Sequence, residues 1–225
     1  MNRLLLFASI FACFLSSSSI AQDWEVLESG TDYILFDISF PPGQNLVGYA
    51  AGMQYTYDAE GVVIKTTDGG DTWTTVLSGA NQDGIEAICF TSPDTGFIAG
   101  WNNYFAKTTD GGATWIEMNV GSDNWFFQDM EFWDAQHGAV VSNLNSGYSA
   151  VYITNNGGQS WTSAMGINQN VQDLAYADAT TLYIVGASEK VSKSTNGGSF
   201  WTEIYSGSPG KYLIGADFNK DFGVA

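Results

Sequence analysis

Arginine occurs once in the 225 residues, at Arg3, and histidine once, at His137. A single imidazole leaves nothing to build a His-rich metal site or a Ser/His/Asp triad. Without arginine beyond Arg3, the chain also lacks the forked donor that holds a carboxylate or phosphate bidentately. Cysteine is almost as scarce. Cys13 and Cys89 are the only two, and Cys13 lies in a segment expected to be removed, so no internal disulfide is expected. No stretch approaches the roughly 18 uninterrupted apolar residues that cross a bilayer, so no transmembrane segment is expected. Positive charge is sparse, with six lysines beside Arg3 against 24 acids and a formal net charge of −17. Such a chain repels nucleic acid and anionic lipid, which are held by clustered Lys and Arg. The expected partner is a protein or carbohydrate, with no nucleic acid, no metal and no cofactor.

The chain does contain an export signal. Arg3 supplies a positive start, residues 4–15 an apolar run and residues 16–19 four serines, ahead of Ala21. This pattern reads as a signal peptide over residues 1–21, cut before Gln22. A lipoprotein signal would use Cys13, but Phe11 ahead of Ala12 fits that poorly and Cys13 sits inside the apolar run. The expected location is outside the cytoplasm: extracellular, cell-surface or periplasmic. The expected mature domain, residues 22–225, must then be held together by packing, which about 200 residues can supply.

Self-similarity organises the chain. Four segments share one pattern: TTDGGDTW at residues 66–73, TTDGGATW at 108–115, TNNGGQSW at 154–161 and STNGGSFW at 194–201. Their third positions, Asp68, Asp110, Asn156 and Asn196, are 42, 46 and 40 residues apart, in or near the period of a propeller blade. Between them, apolar runs rich in Val, Ile, Thr and aromatics suit strands. A second pattern keeps step: an apolar strand, a turn, then a Gly-aromatic-aliphatic strand ending at Gly or Ser, beginning at Asp37, Ala87, Asp129, Asp173 and Gly215. Four short antiparallel strands per repeat define an all-β propeller of about four and a half blades.

The repeated turn has its own chemistry. Asp or Asn at the third position accepts N–H groups of its own turn, the glycines permit positive φ, and the flanking Thr or Ser hydroxyls tie the loop down. The last residue, Trp73, Trp115, Trp161 or Trp201, supplies a large aromatic anchor between neighbouring sheets.

These segments resemble the Asp-box, or BNR repeat, with the pattern Ser/Thr-x-Asp-x-Gly-x-Thr-Trp. Thr66, Asp68, Gly70, Thr72 and Trp73 fit it fully, as do Thr108, Asp110, Gly112, Thr114 and Trp115. Thr154, Asn156, Gly158, Ser160 and Trp161 fit it with substitutions, and so do Ser194, Asn196, Gly198, Phe200 and Trp201. The KTTDGG-x-TW form joined to a Gly-aromatic-aliphatic strand is similar to the photosystem II assembly and stability factor type of propeller. That resemblance implies a β-propeller common among exported bacterial proteins, without implying a photosynthetic role. Residues 24–27 match the segment that follows each box, which makes them the expected outermost strand of a final blade. With Ala225 falling in the second strand of a fifth unit, the expected whole is a six- to eight-bladed ring of which this is an N-terminal part, or else a small five-bladed ring.

Two functions follow from the resemblance. One is a binding scaffold that presents loop aromatics and acids to a protein or glycan, with no catalytic residue in this chain; the other is a glycoside hydrolase of the xyloglucanase kind. A sialidase is disfavoured because it needs an arginine triad. Candidate binding residues are Trp101 and Tyr104 between the second and third strands of a repeat, and Trp125 and Phe127 between a box and the next first strand; the alternative role for these aromatics is packing between blades. Asp37, Asp129 and Asp173, each three residues before a strand aromatic, are either turn caps or part of an anionic ring in the channel. The stretch 217–221 mimics the start of a calcium loop, but Phe222 stands where that loop requires glycine.

Overall fold

The computed structural model describes residues 27–54, 60–79, 83–121, 124–144, 146, 148–219 and 222–224. The expected signal peptide and residues 24–26 lie outside the described residues. The first sheet contains β1 (Ile34–Ser39), β2 (Gly48–Met53), β3 (Gly61–Thr66) and β4 (Thr74–Ser78), antiparallel and in that order. The second contains β5 (Ile85–Phe90), β6 (Gly96–Gly100), β7 (Phe105–Thr108) and β8 (Ile116–Glu117), and the third β9 (Asn124–Phe132), β10 (Gly138–Leu144), β11 (Ser149–Thr154) and β12 (Thr162–Ser163). The fourth contains β13 (Val171–Tyr176), β14 (Leu182–Gly186), β15 (Val191–Ser194) and β16 (Thr202–Tyr205), and β17 (Asp217–Asn219) pairs with β18 (Phe222–Val224). This is the expected propeller: four blades and the start of another. Asp217 and Asn219 lie in a strand rather than a calcium loop.

Each box joins the two outer strands of its blade, and its bonds repeat. Asp110 Oδ1 accepts the Thr108 hydroxyl at 2.8 Å and the Thr114 N–H at 2.8 Å, while Thr108 Oγ1 accepts the Gly112 N–H at 2.9 Å. Asp68, Asn156 and Asn196 accept the same pair of donors in their own turns. The first box glycine, in the left-handed region at φ 68° for Gly111, donates to the β5–β6 turn at Asp94 O. The box therefore clips its blade's two hairpins together. Thr108 is fully buried, so Thr108→Val keeps the shape but strips the Gly112 N–H of its acceptor. A loss of about 2 kcal/mol in urea unfolding is expected; an unchanged midpoint would show that the clip contributes nothing.

The core lies between blades. Tyr49, Ala51 and Val63 of the first blade pack on Ile85, Ile88 and Phe90 of the second, with Trp115 against them. Trp161 serves the next interface, and Trp201 lies within the one after that. Nε1 of Trp115, Trp161 and Trp201 is buried without a hydrogen-bond partner; these indoles act as apolar mass. Among the described residues, Trp73 packs against the cluster of Ala50, Val62 and Ile64 in its own blade. A second device repeats at the interfaces. Tyr49 stacks on Phe90 at 3.5 Å, and Lys65, lying over Tyr49, donates to Gly111 O of the next box. Phe97, Phe132, Lys107 and Gly157 repeat the arrangement one blade on.

Candidate functional site at the channel face

The innermost strands β1, β5, β9 and β13 succeed one another around the axis. Each carries a bulge at the same place: pairing skips Phe36, Glu86, Gln128 and Gln172. A bulge re-aims side chains, and these four converge with Asp37, Asp129 and Asp173 around an open channel cavity of about 280 Å3, which Ile214 also lines. The opposing residue on β2, β6 and β14 is Gly52, Gly100 or Gly186, because a Cβ there would overlap the carbonyl oxygen of Ile34, Gly84 or Asn170. The glycine late in β2, β6 and β14 is thus a consequence of the bulge.

The residue after each bulge explains the acids. Asp37 accepts its neighbour Ile38 N–H at 2.7 Å with one oxygen and Ile88 N–H of the next blade at 2.7 Å with the other. Asp129 does the same with Met130 and Leu174, and Asp173 with Leu174 and Ala216. Two residues further on, Ser39 accepts Phe90 N–H, Cys89 accepts Phe132 N–H and Glu131 accepts Tyr176 N–H. The inner strand's free edge has N–H groups with no strand beside them, and the preceding blade supplies their acceptors. This corrects both expectations for these acids: they cap no loop-to-strand turn, and they do not form a free anionic ring. They are clasps between blades.

Their protonation follows from that position. Burial raises the Asp37 carboxyl, against the pull of the Ile88 and Ile38 N–H groups. Burial, a hydrogen bond to Asp173 and the Asp173 charge hold Asp129 well above the usual carboxylate range. Burial lifts Glu131 to about 7, with the Tyr176 N–H pulling the other way and the charges of Asp217 and Asp173 adding to it. The Cys89 thiol is pushed up to about 12 by burial and stays a thiol.

Groups raised in the folded state bind protons more tightly there than in the unfolded chain, so they stabilise the fold at low pH and lose that contribution as pH rises. For Glu131 the window runs from 4.5, its ordinary value, to about 7. In the opposite sense, the Thr72 hydroxyl holds Asp68 at about 2 and the Thr114 hydroxyl holds Asp110 there. That contribution is present above about 4 and disappears as pH falls through 2. Stability is expected to peak near pH 4–5 and to fall by roughly 2 kcal/mol towards pH 8. Melting temperatures across pH 3–8 check this, and a profile rising from pH 5 to 8 would contradict it.

The aromatic candidates separate. Trp101 is half-buried above this face, and its Nε1 donates to Glu86 Oε1 at 2.6 Å. Tyr104 and Phe127 are buried in the cores between blades, so neither presents an exposed face as expected. Asn102 and Asn103, at φ 52° and 64°, form the tight turn that sends Tyr104 back inward. The Trp125 side chain lies outside the described residues. His137 is a turn residue beside Asp134, its Nδ1 2.9 Å from the carboxylate. Sequence reasoning missed Phe36, Glu86, Gln128 and Gln172; Phe36, Gln128 and Gln172 each stand one residue before a clasp acid, and Glu86 stands before Ala87 at the same place in its blade.

Successive four-stranded blades with Asp-box clips and a bulged inner edge define a BNR-type β-propeller, of which the described residues form part. The family model of the photosynthesis system II assembly factor YCF48 matches residues 16–166, more than half of the chain, and the chain belongs to that family. No curated protein matches it. Among solved structures, a YCF48 protein bound to a D1 peptide has a TM-score of 0.66 at 20% identity, over 88% of this chain and 61% of that one. The GH74 xyloglucanase from Xanthomonas campestris has a TM-score of 0.62 at 15% identity, over 81% and 33%. The WD40 propeller domain of Doa1 has a TM-score of 0.61 at 15% identity, over 86% and 61%. The chain thus spans about three-fifths of the YCF48 structure's length and a third of the xyloglucanase's. At these identities the likeness is one of fold.

Proposed function

We propose that this chain is the scaffold of an exported binding or assembly protein that grips a segment of a partner protein across its channel face. The observation that carries the reading is the convergence of Phe36, Glu86, Gln128 and Gln172 beside a Trp101 held by Glu86. Flat aromatic surface beside amide and carboxylate groups suits an extended segment, which offers apolar side chains and backbone donors together. Membership in an assembly-factor family supports the reading, as does a solved family member that holds a peptide. The clasp acids argue against the hydrolase reading, since each of their oxygens already receives a backbone N–H.

Panning a random peptide library displayed on phage against the immobilised protein tests this reading. Enriched peptides are expected to bind at micromolar Kd and to lose about tenfold or more with Trp101→Ala, while the melting temperature stays within a few degrees. No enrichment, or binding indifferent to Trp101, would remove the proposal.

A further inference from the structure

The β6–β7 turn, which follows Trp101, and the chain leaving β8 enclose an open cleft of about 590 Å3. Its walls include Asp83, Asn102, Tyr104, Glu117, Met118 and Asn119. Tyr104 is only 8% exposed. Its ring belongs to the core between the first two blades, yet its side chain also lines the cleft, and its hydroxyl makes no hydrogen bond among the described residues. Burial and the charges of Glu117 and Asp83 push this phenol up to about 12, so it remains a neutral O–H with two carboxylates near it. Asp83 accepts Asn102 Nδ2 at 2.8 Å, and neither Asp83 nor Glu117 is ion-paired among the described residues. The lysines that could neutralise them are engaged elsewhere: Lys65 and Lys107 donate to box carbonyls, and Lys190 pairs with Glu203 at 2.8 Å.

We infer that this cleft receives a lysine or arginine side chain from the partner's segment. The ammonium or guanidinium donates to Asp83, Glu117 and the Tyr104 oxygen, its methylene stem lies on Met118, and the Asn102 and Asn119 amides flank the segment's backbone. The two carboxylates call for a ligand of donors, and the Tyr104 oxygen, without a hydrogen bond among the described residues, has lone pairs to accept one of them; an acid would be repelled by Asp83 and Glu117, and a purely apolar group would leave them unanswered. A chain with net charge −17 attracts such a segment at long range, and the cleft gives that attraction an address. The inference rests on the reading of the channel face as a protein-binding surface, to which the cleft is linked by Asn102, next in the chain to Trp101.

The test uses the full chain and a fluorescein-labelled decapeptide of alternating Lys and Gly, with a Glu-Gly peptide as control, read by fluorescence anisotropy. The Lys peptide is expected to bind and the Glu peptide not. D83N/E117Q should weaken binding about tenfold or more, and Y104F about threefold with an unchanged melting temperature. D71N/D94N, which removes the same charge at the box-turn end of the blades, should leave the affinity within about twofold. Equal weakening by the two double variants would reduce the effect to net charge and overturn the inference. So would absence of Lys-peptide binding, or displacement of the peptide by a neutral oligosaccharide such as cellohexaose. The two readings fail separately. Library-selected peptides that need Trp101 but tolerate D83N/E117Q would overturn the cleft and leave the binding face standing. Lys-peptide binding that needs Asp83 and Glu117, with no selected peptide depending on Trp101, would do the reverse.

Discussion

Trp201→Ala is expected to lower the unfolding free energy by about 4 kcal/mol, and Trp73→Ala by distinctly less. Trp201 is 1% exposed and sits among Ala139, Val141 and Val151 of the third blade and Val171, Leu174 and Leu182 of the fourth. Removing it opens a cavity in an interface that two sheets share, and neither can close it alone. Trp73 is only partly buried, against Ala50, Val62 and Ile64 of its own blade, so its loss leaves no interface empty. Because blades contact their neighbours in series, the Trp201 variant should also split the urea transition, with the fourth blade melting first. Equal losses for the two variants would mean that the box tryptophans do not pin blade to blade.

Gly100→Ala should be nearly as damaging, at about 3 kcal/mol or more, although it adds one methyl group. The new Cβ would overlap the Gly84 carbonyl oxygen, a backbone atom that cannot turn aside. Relief requires flattening the bulge at Glu86, which would slip every later residue of β5 to the other face. Gly43→Ala is the control: Gly43 has φ 75° and open space around its hydrogen, so the same substitution there carries only the left-handed backbone penalty of about 1–2 kcal/mol. Comparable melting temperatures for the two variants would show that the bulge is soft. Blade three is the natural exception, with Ser142 opposite its bulge, where β9 is longer and its pairing shifts register a second time.

The blades were legible in the sequence because each needs the same local solution: an Asp or Asn that caps its own turn, glycines at positive φ and a tryptophan at a fixed offset. Local chemistry of that kind leaves a local mark, and Thr66, Asp68, Gly70 and Trp73 sit in the structure as their residue types dictate. The clasp acids were visible as a recurrence, but their purpose was not. Asp37 bonds Ile88, 51 residues away, and no periodicity states which strand lies beside which. Tyr104 read as a loop aromatic because the Asn102-Asn103 turn is short enough to return the next residue to the core. The bulges left the faintest trace. Glu86, Gln128 and Gln172 are long polar side chains that hydrogen-bond Trp101, Asn143 and Asn170, but Phe36 is not, so no single residue type marks the bulge.

Hydrogen–deuterium exchange of the full chain, with and without a library-selected peptide, tests the central claim most directly. A binding face at the bulged inner edge predicts slowed exchange at residues 84–86 and 101–104, with the amides of Gly70 and Gly112 in the box turns unchanged. Protection confined to the box turns, with residues 84–86 and 101–104 exchanging as in the free protein, would contradict the account.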